Sequence, residues 1–137
     1  ERRRFIEQAA RLFSHAEAEA ESPLSIHEEA THAWLDLAGE SNPREMWEAA
    51  TRAAESARRA NEIEPHSQDY NLACALSRLR EDVQAIESLT SALEREPDLV
   101  ESALVDPDLA PLWAAHPELP ERFAGRARPK VAINIHS

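Results

Sequence analysis

Six residues, His27-Glu28-Glu29-Ala30-Thr31-His32, come within one position of the H-E-x-x-H helix, in which two histidines hold zinc and a glutamate activates water. Here the histidines stand at i and i+5, about 140° apart around a helix, whereas i and i+4 would place them on one face. No acid is placed to serve as a third ligand, so the pair reads as surface histidines. Cys74 with His66 suggests a thiol dyad, but Cys74 lies on a helix face, where a lone thiol is ordinarily inert. His66, Ser67 and Asp69 crowd one helix start and read as a capping cluster; a catalytic triad is assembled across a fold. Gly39 and Gly125 are the only glycines, which leaves no loop to cradle a phosphate. These residues predict no catalytic group, no metal and no cofactor. Binding remains.

Composition narrows what is bound. The 137 residues are enough for one domain with a real core, and 30% of them are charged, for a net charge of −11. Nucleic acid demands a basic face, and an anionic membrane surface likewise, so neither is an expected partner. No run approaches the roughly 18 apolar residues of a membrane span, and no signal-peptide pattern opens the chain. The single cysteine permits no internal disulfide and points to a reducing, cytoplasmic setting. The first residue is Glu1, not Met, which suggests a piece of a longer polypeptide or a processed start. Ala, Glu, Leu and Arg with only two glycines favour helix throughout, and the expected fold class is all-α without a sheet core.

The elements follow from apolar spacing. Residues 1–21 place Phe5, Ala9, Leu12 and Ala16 on one stripe, with Ile6 and Phe13 beside it. Its acidic tail AEAEAE, residues 16–21, reads as a solvated helix end, and Arg2, Arg3 and Arg4 are badly placed for the helix dipole. Ser25 with Glu28 reads as a capping box opening a helix over 25–38, which buries Ile26, Ala30, Ala33, Trp34 and Leu37 and ends at Gly39. Asn42-Pro43 caps a helix over 43–63 with Met46, Trp47, Ala50, Ala53, Ala54, Ala57 and Ala60 inward. Helices over 66–79 and 82–95 carry Leu72, Ala73 and Leu76 on one stripe, and Val83, Ile86, Leu89, Ala92 and Leu93 on the other. Small residues at Ala73, Ala85 and Ala92 let an antiparallel pair approach closely. Such a pair cannot bury its outer face alone, so further helices must stack on it.

Asn71-Leu72-Ala73, Leu76, Ala85-Ile86, Leu89, Ala92-Leu93 and Pro97 resemble a tetratricopeptide repeat, with Arg80 standing where that family usually has a turn glycine. Pro65 stands 32 residues before Pro97, and Ala53, Ala57 and Ala60 precede it as Ala85, Leu89 and Ala92 precede Pro97. Residues 25–65 thus resemble a degenerate earlier repeat. The string ALVDPDLAPLW, residues 103–113, resembles the closing segment of many bacterial tetratricopeptide proteins, with short helices expected over 98–105 and 107–115. The resemblance implies stacked antiparallel hairpins of six to eight helices over 1–125. Residues 126–137 form a tail in which Val131, Ile133 and Ile135 alternate like a strand: either a disordered end, or an edge that pairs with another domain or chain.

The family's first helices line a concave groove, and the resemblance carries that role onto Ser67, Tyr70, Asn71, Cys74, Ser77 and Arg78, joined by His27 and Thr31, with Trp34 and Glu28 as further candidates. The carboxylate-clamp subgroup is a poor match, because Cys74 stands where it has Asn or Lys. An acidic groove instead suits a basic or apolar segment of another protein, or an adjoining domain. Two functions are then expected. One is a non-catalytic adaptor that scaffolds or regulates a partner or fused effector. The other is a regulatory fragment of a larger enzyme, a protease or signalling ATPase, whose active site lies outside this chain.

Overall fold

The computed structural model describes residues 2–18 and 23–127. Among them the chain is all helix: α1 (Arg2–Glu17), α2 (Leu24–Glu40), α3 (Pro43–Ile63), α4 (Asp69–Arg78), α5 (Asp82–Arg95), a 3-10 turn (Pro97–Leu99), α6 (Val100–Val105), α7 (Ala110–Ala115) and α8 (Leu119–Ala127). No strand occurs among these residues, and no helix is long and apolar enough to cross a membrane. The strand-like alternation at Val131, Ile133 and Ile135 lies outside the described residues.

Two residues link α2 to α3 and three link α4 to α5, so in each pair the second helix must fold back along the first. Successive helices pack in chain order from α1 to α5, and α2 also touches α4. The core is built from small residues. Ala49, Ala50, Ala53, Ala54 and Ala57 of α3 are buried against α2, and Ala73 and Ala85 are buried where α4 meets α5. Trp34 is the largest fully buried side chain among the described residues; its indole N–H donates to Ser14 Oγ at 2.7 Å, and the Arg11 and Arg52 guanidinium groups lie over its ring. It is thus a core residue and not part of a groove.

The turn at Arg80 replaces the expected glycine with strain. The Glu81 N–H bonds to the Leu76 carbonyl and the Arg80 N–H to the Ser77 carbonyl, the Schellman closure of a helix end. That closure needs a left-handed residue, and Arg80 adopts φ 60°. His66 does the same after α3, at φ 72°.

Several sequence expectations are corrected. The stripe of α1 that meets the protein is Ile6, Ala10, Phe13 and Glu17, one residue on from the expected one, and Phe5 and Leu12 stand 77% and 71% exposed. Trp47 and Val83 are also largely exposed. Ser25 forms no capping box: α2 begins at Leu24 after Pro23, without a side-chain cap. Gly39 does not end it, since the helix runs on to Glu40 and Ser41 closes it by donating its hydroxyl to the Leu37 carbonyl at 2.6 Å. The Asn42 cap is present, accepting from the Glu45 N–H at 3.0 Å. Helix α4 starts at Asp69, not at residue 66, and no side chain caps it. Finally, α8 is an element the sequence reading lacked. Pro120 lies in its first turn, where proline is tolerated, and Leu119 and Phe123 are buried, Phe123 edge-on to Trp113 at 6.0 Å.

Candidate interaction surface

The residues expected to line a groove divide into three groups. His27 and Thr31 are buried between helices: His27 Nδ1 lies 2.5 Å from Glu17 Oε2, and the Thr31 hydroxyl donates to the His27 carbonyl at 2.7 Å. The other Glu17 oxygen accepts from Ser56 Oγ at 2.7 Å and faces Arg59 at 3.3 Å. A carboxylate with its side chain 1% exposed thus ties α1 to α2 and α3. The sequence reading placed Glu17 in a solvated tail. Its position seven residues after Ala10 and eleven after Ile6 was the available signal.

A second group, Tyr70, Cys74, Ser77 and Arg78, lies on α4, but the chain covers it with its own turn between α6 and α7. Tyr70 donates its hydroxyl to Asp106 Oδ2 at 2.7 Å, Cys74 Sγ lies 3.8 Å from the same oxygen, and Arg78 Nε donates to Asp108 Oδ1 at 2.5 Å. Cys74 and Ser77 are fully buried, and the Ser77 hydroxyl has no partner among the described residues. The expectation of an open groove here is corrected: residues 106–108 occupy it. Burial and then the carboxylates of Asp106 and Asp108 push the Cys74 thiol well up, which keeps it protonated and unreactive. Burial and the bond to Asp106 raise Tyr70 as well. Burial also holds Asp108 above the usual carboxylate range, although Arg78 opposes the shift. Ligand atoms of Cys74, Asp106 and Asp108 fall within 4.8 Å of one another, yet both carboxylates already accept from Tyr70 or Arg78, and a guanidinium beside them opposes a cation.

The third group joins α3, α4 and α5. His66 Nδ1 lies 2.8 Å from Asp69 Oδ2, which also accepts from Ser91 Oγ at 2.6 Å, while Asp69 Oδ1 accepts from Asn61 at 3.1 Å. The Ser67 hydroxyl lies 3.5 Å from the Ala60 carbonyl. The cluster read as a helix cap is a tertiary clasp around Asp69. Asn71 remains accessible and lies 2.9 Å from His32 Nε2, bridging α4 to α2.

The open surface lies elsewhere. Between α1 and α2 runs a cleft of about 280 Å³, floored by Ile6, Ala9, Phe13 and Ala33 and rimmed by Glu29, His32 and Asp36. Glu29, His32 and Asp36 recur at i, i+3 and i+7, so one exposed stripe of α2 forms the wall. Neither acid has an ion-pair partner among the described residues. Arg2 closes one end by donating to Glu40 at 2.8 Å.

Neither the models of known families, nor the curated proteins, nor the solved structures yield a match to this chain. The reading of the surface therefore rests on its own geometry.

The arrangement has the means to bind an apolar side chain beside a cation. The floor is apolar, and two carboxylates without an ion-pair partner among the described residues stand at its rim, where they can attract a cation.

Proposed function

We propose that this chain is a non-catalytic helical-repeat module of tetratricopeptide type, which docks a segment of another protein or an adjoining domain. The apolar cleft between α1 and α2 with its acidic rim carries this reading. A segment presenting a large apolar residue beside Lys or Arg fits it: the floor takes the apolar side chain, and Glu29 and Asp36 take the cation. The repeated helix pairs and the terminal segment over α4 are what the resemblance to that family leads one to expect. The buried, unpaired Cys74 agrees with a reducing, cytoplasmic location.

The test is fluorescence anisotropy of a labelled peptide array against the whole chain. Peptides pairing Leu or Phe with Arg should bind, and Asp36→Lys should weaken binding about tenfold or more without lowering the melting temperature, because Asp36 is exposed. Indifference of every peptide to Asp36→Lys would sink the cleft.

A further inference from the structure

The stacking order shows what shape of ligand the cleft accepts. Helix α2 lies against α1 and α3 and also touches α4, and α4 in turn lies against α3 and α5 as well as α2. Helix α2, the first of its pair, therefore sits in a seat made by its own second helix, α3, and the first helix of the next pair, α4. Helix α1 and α2 form such a seat, and among the described residues nothing fills it. Phe5 and Leu12 stand out of α1 one above the other, about 10 Å apart along its axis. Half-buried Ala9 lies between them and leads without a polar break into the floor of Ile6, Phe13 and Ala33. The result is one apolar strip with two walls of opposite sign. On α2 stand Glu29 and Asp36; on the far flank of α1 stands Arg4.

We propose that this strip seats an amphipathic α-helix of a partner protein, with basic residues on its flank toward α2 and acidic residues on its flank toward Arg4. The proposal rests on the docking function above and specifies the ligand. A helix is favoured over an extended peptide because the seat presents no strand edge. The backbone groups of α1 and α2 are spent within their helices, so an extended chain pressed on the strip would leave its own N–H and C=O groups unsatisfied, while a helix satisfies them internally. A membrane surface is disfavoured by the acidic wall and by the net charge of −11.

The experiment uses the whole chain and three labelled peptides: a Leu-seamed helix with Lys on one flank and Glu on the other, the same composition with proline inserted mid-helix, and a version with the flanks exchanged. The first peptide should bind, gain helical circular dichroism on binding, and lose affinity about tenfold or more with Leu12→Glu or with the pair Glu29→Lys and Asp36→Lys. The charge-reversed pair should recover affinity for the exchanged peptide. Equal binding of the proline peptide would overturn the helix while leaving the docking cleft intact. Loss with Asp36→Lys but none with Leu12→Glu would likewise retain the cleft and remove the outward strip. No binding of any peptide would sink both readings. Self-association of the chain on light scattering, abolished by Leu12→Glu, would make a second copy the occupant, and Phe5-dependent sedimentation with phosphatidylserine vesicles would make it a membrane; either result overturns the proposal.

Discussion

Tyr70 of α4 donates its hydroxyl to Asp106 Oδ2 at 2.7 Å across 36 residues of sequence, and this bond closes the face of α4 that would otherwise be open. Arg78 and Asp108 repeat the closure about two turns further along, at 2.5 Å. The turn carrying both acids is held in shape by the Asp108 N–H, which bonds to Asp106 Oδ1 at 2.9 Å. The terminal segment is therefore anchored on α4 by polar contacts, while Leu109 and Leu112 supply the buried apolar area.

Removing the Tyr70 hydroxyl tests that anchor. Tyr70→Phe keeps the ring and leaves the Asp106 carboxylate short of a donor, which should lower stability by about 1.5 kcal/mol. Urea denaturation followed by circular dichroism measures it. Limited proteolysis should show cleavage shifting toward residues 96–109 in the variant, and an unchanged midpoint with an unchanged cleavage pattern would show that the bond does not hold the segment.

Raised Cys74 and Tyr70 protonation affinities predict alkaline destabilisation. A group whose folded pKa exceeds its unfolded value stabilises the fold fully below the unfolded value and loses that contribution as pH rises toward the folded one. The unfolded thiol ionises near 8.5 and the unfolded phenol near 10, so stability should begin to fall above about pH 8.5 and fall more steeply above about 10. Cys74→Ala should flatten the first part of the slope and Tyr70→Phe the second. The same burial predicts that Ellman's reagent labels Cys74 at neutral pH only as fast as the protein opens.

The central pairs were legible because alanine and leucine at helical spacing leave one choice of face: Ala53, Ala57, Leu72, Leu76, Ala85 and Leu89 are buried as their spacing requires. Helix α1 offered two choices. Phe5, Ala9, Leu12 and Ala16 make one apolar stripe and Ile6, Ala10 and Phe13 another about 100° round, and only the neighbouring helices decide between them. Here the second stripe wins because it brings Glu17 onto Ser56 and His27. The α4 face failed as a prediction for a related reason, since what covers it lies 30 to 36 residues away in sequence and local pattern carries no sign of it. Helix α8 stands outside the expected elements because a proline such as Pro120 can either end a helix or sit in the first turn of a new one, and here it does the latter.

The strained turn is a place where stability can be gained. Arg80 sits at φ 60°, a conformation open to glycine and unfavourable to residues with a Cβ. Its side chain offsets part of the strain by pairing with Asp82, at 2.9 and 3.2 Å, but that pair is exposed and contributes little. Arg80→Gly should therefore raise the melting temperature by a few degrees, while Arg80→Ala, which loses the pair and keeps the strain, should lower it. Thermal scans of the two variants separate backbone from side chain; a fall in both would show that the Asp82 pair outweighs the turn.

Glu17 should behave as the pin of α1. Glu17→Ala leaves His27, Ser56 and Arg59 facing a cavity, and breaking a buried charged network of this kind destabilises by about 3 kcal/mol. Because α1 packs mainly on α2, the effect should be local. Hydrogen exchange should rise throughout α1 while α4 and α5 keep their protection, and uniform loss of protection would mean that α1 is not a separable unit.

The contact between α4 and α5 makes the sharpest claim about packing. Ala85 and Leu89, one turn apart on α5, are both wholly buried, one giving room for α4 to approach and the other filling the space beside it. Opposite volume changes should then both destabilise. Leu89→Ala leaves a void and should lose about 2 to 5 kcal/mol, whereas Ala85→Leu forces the helices apart and should lose about 1 to 3 kcal/mol. The double variant moves the leucine back one turn at constant volume. Because the two positions are neighbours at one interface, the double variant should depart from the sum of the single effects by about 0.5 to 3 kcal/mol, and recovery of most of the loss would show that the interface tolerates the rearrangement. Guanidinium denaturation of the two single variants and the double variant decides this, and a neutral Ala85→Leu would show that the two helices do not meet at that position.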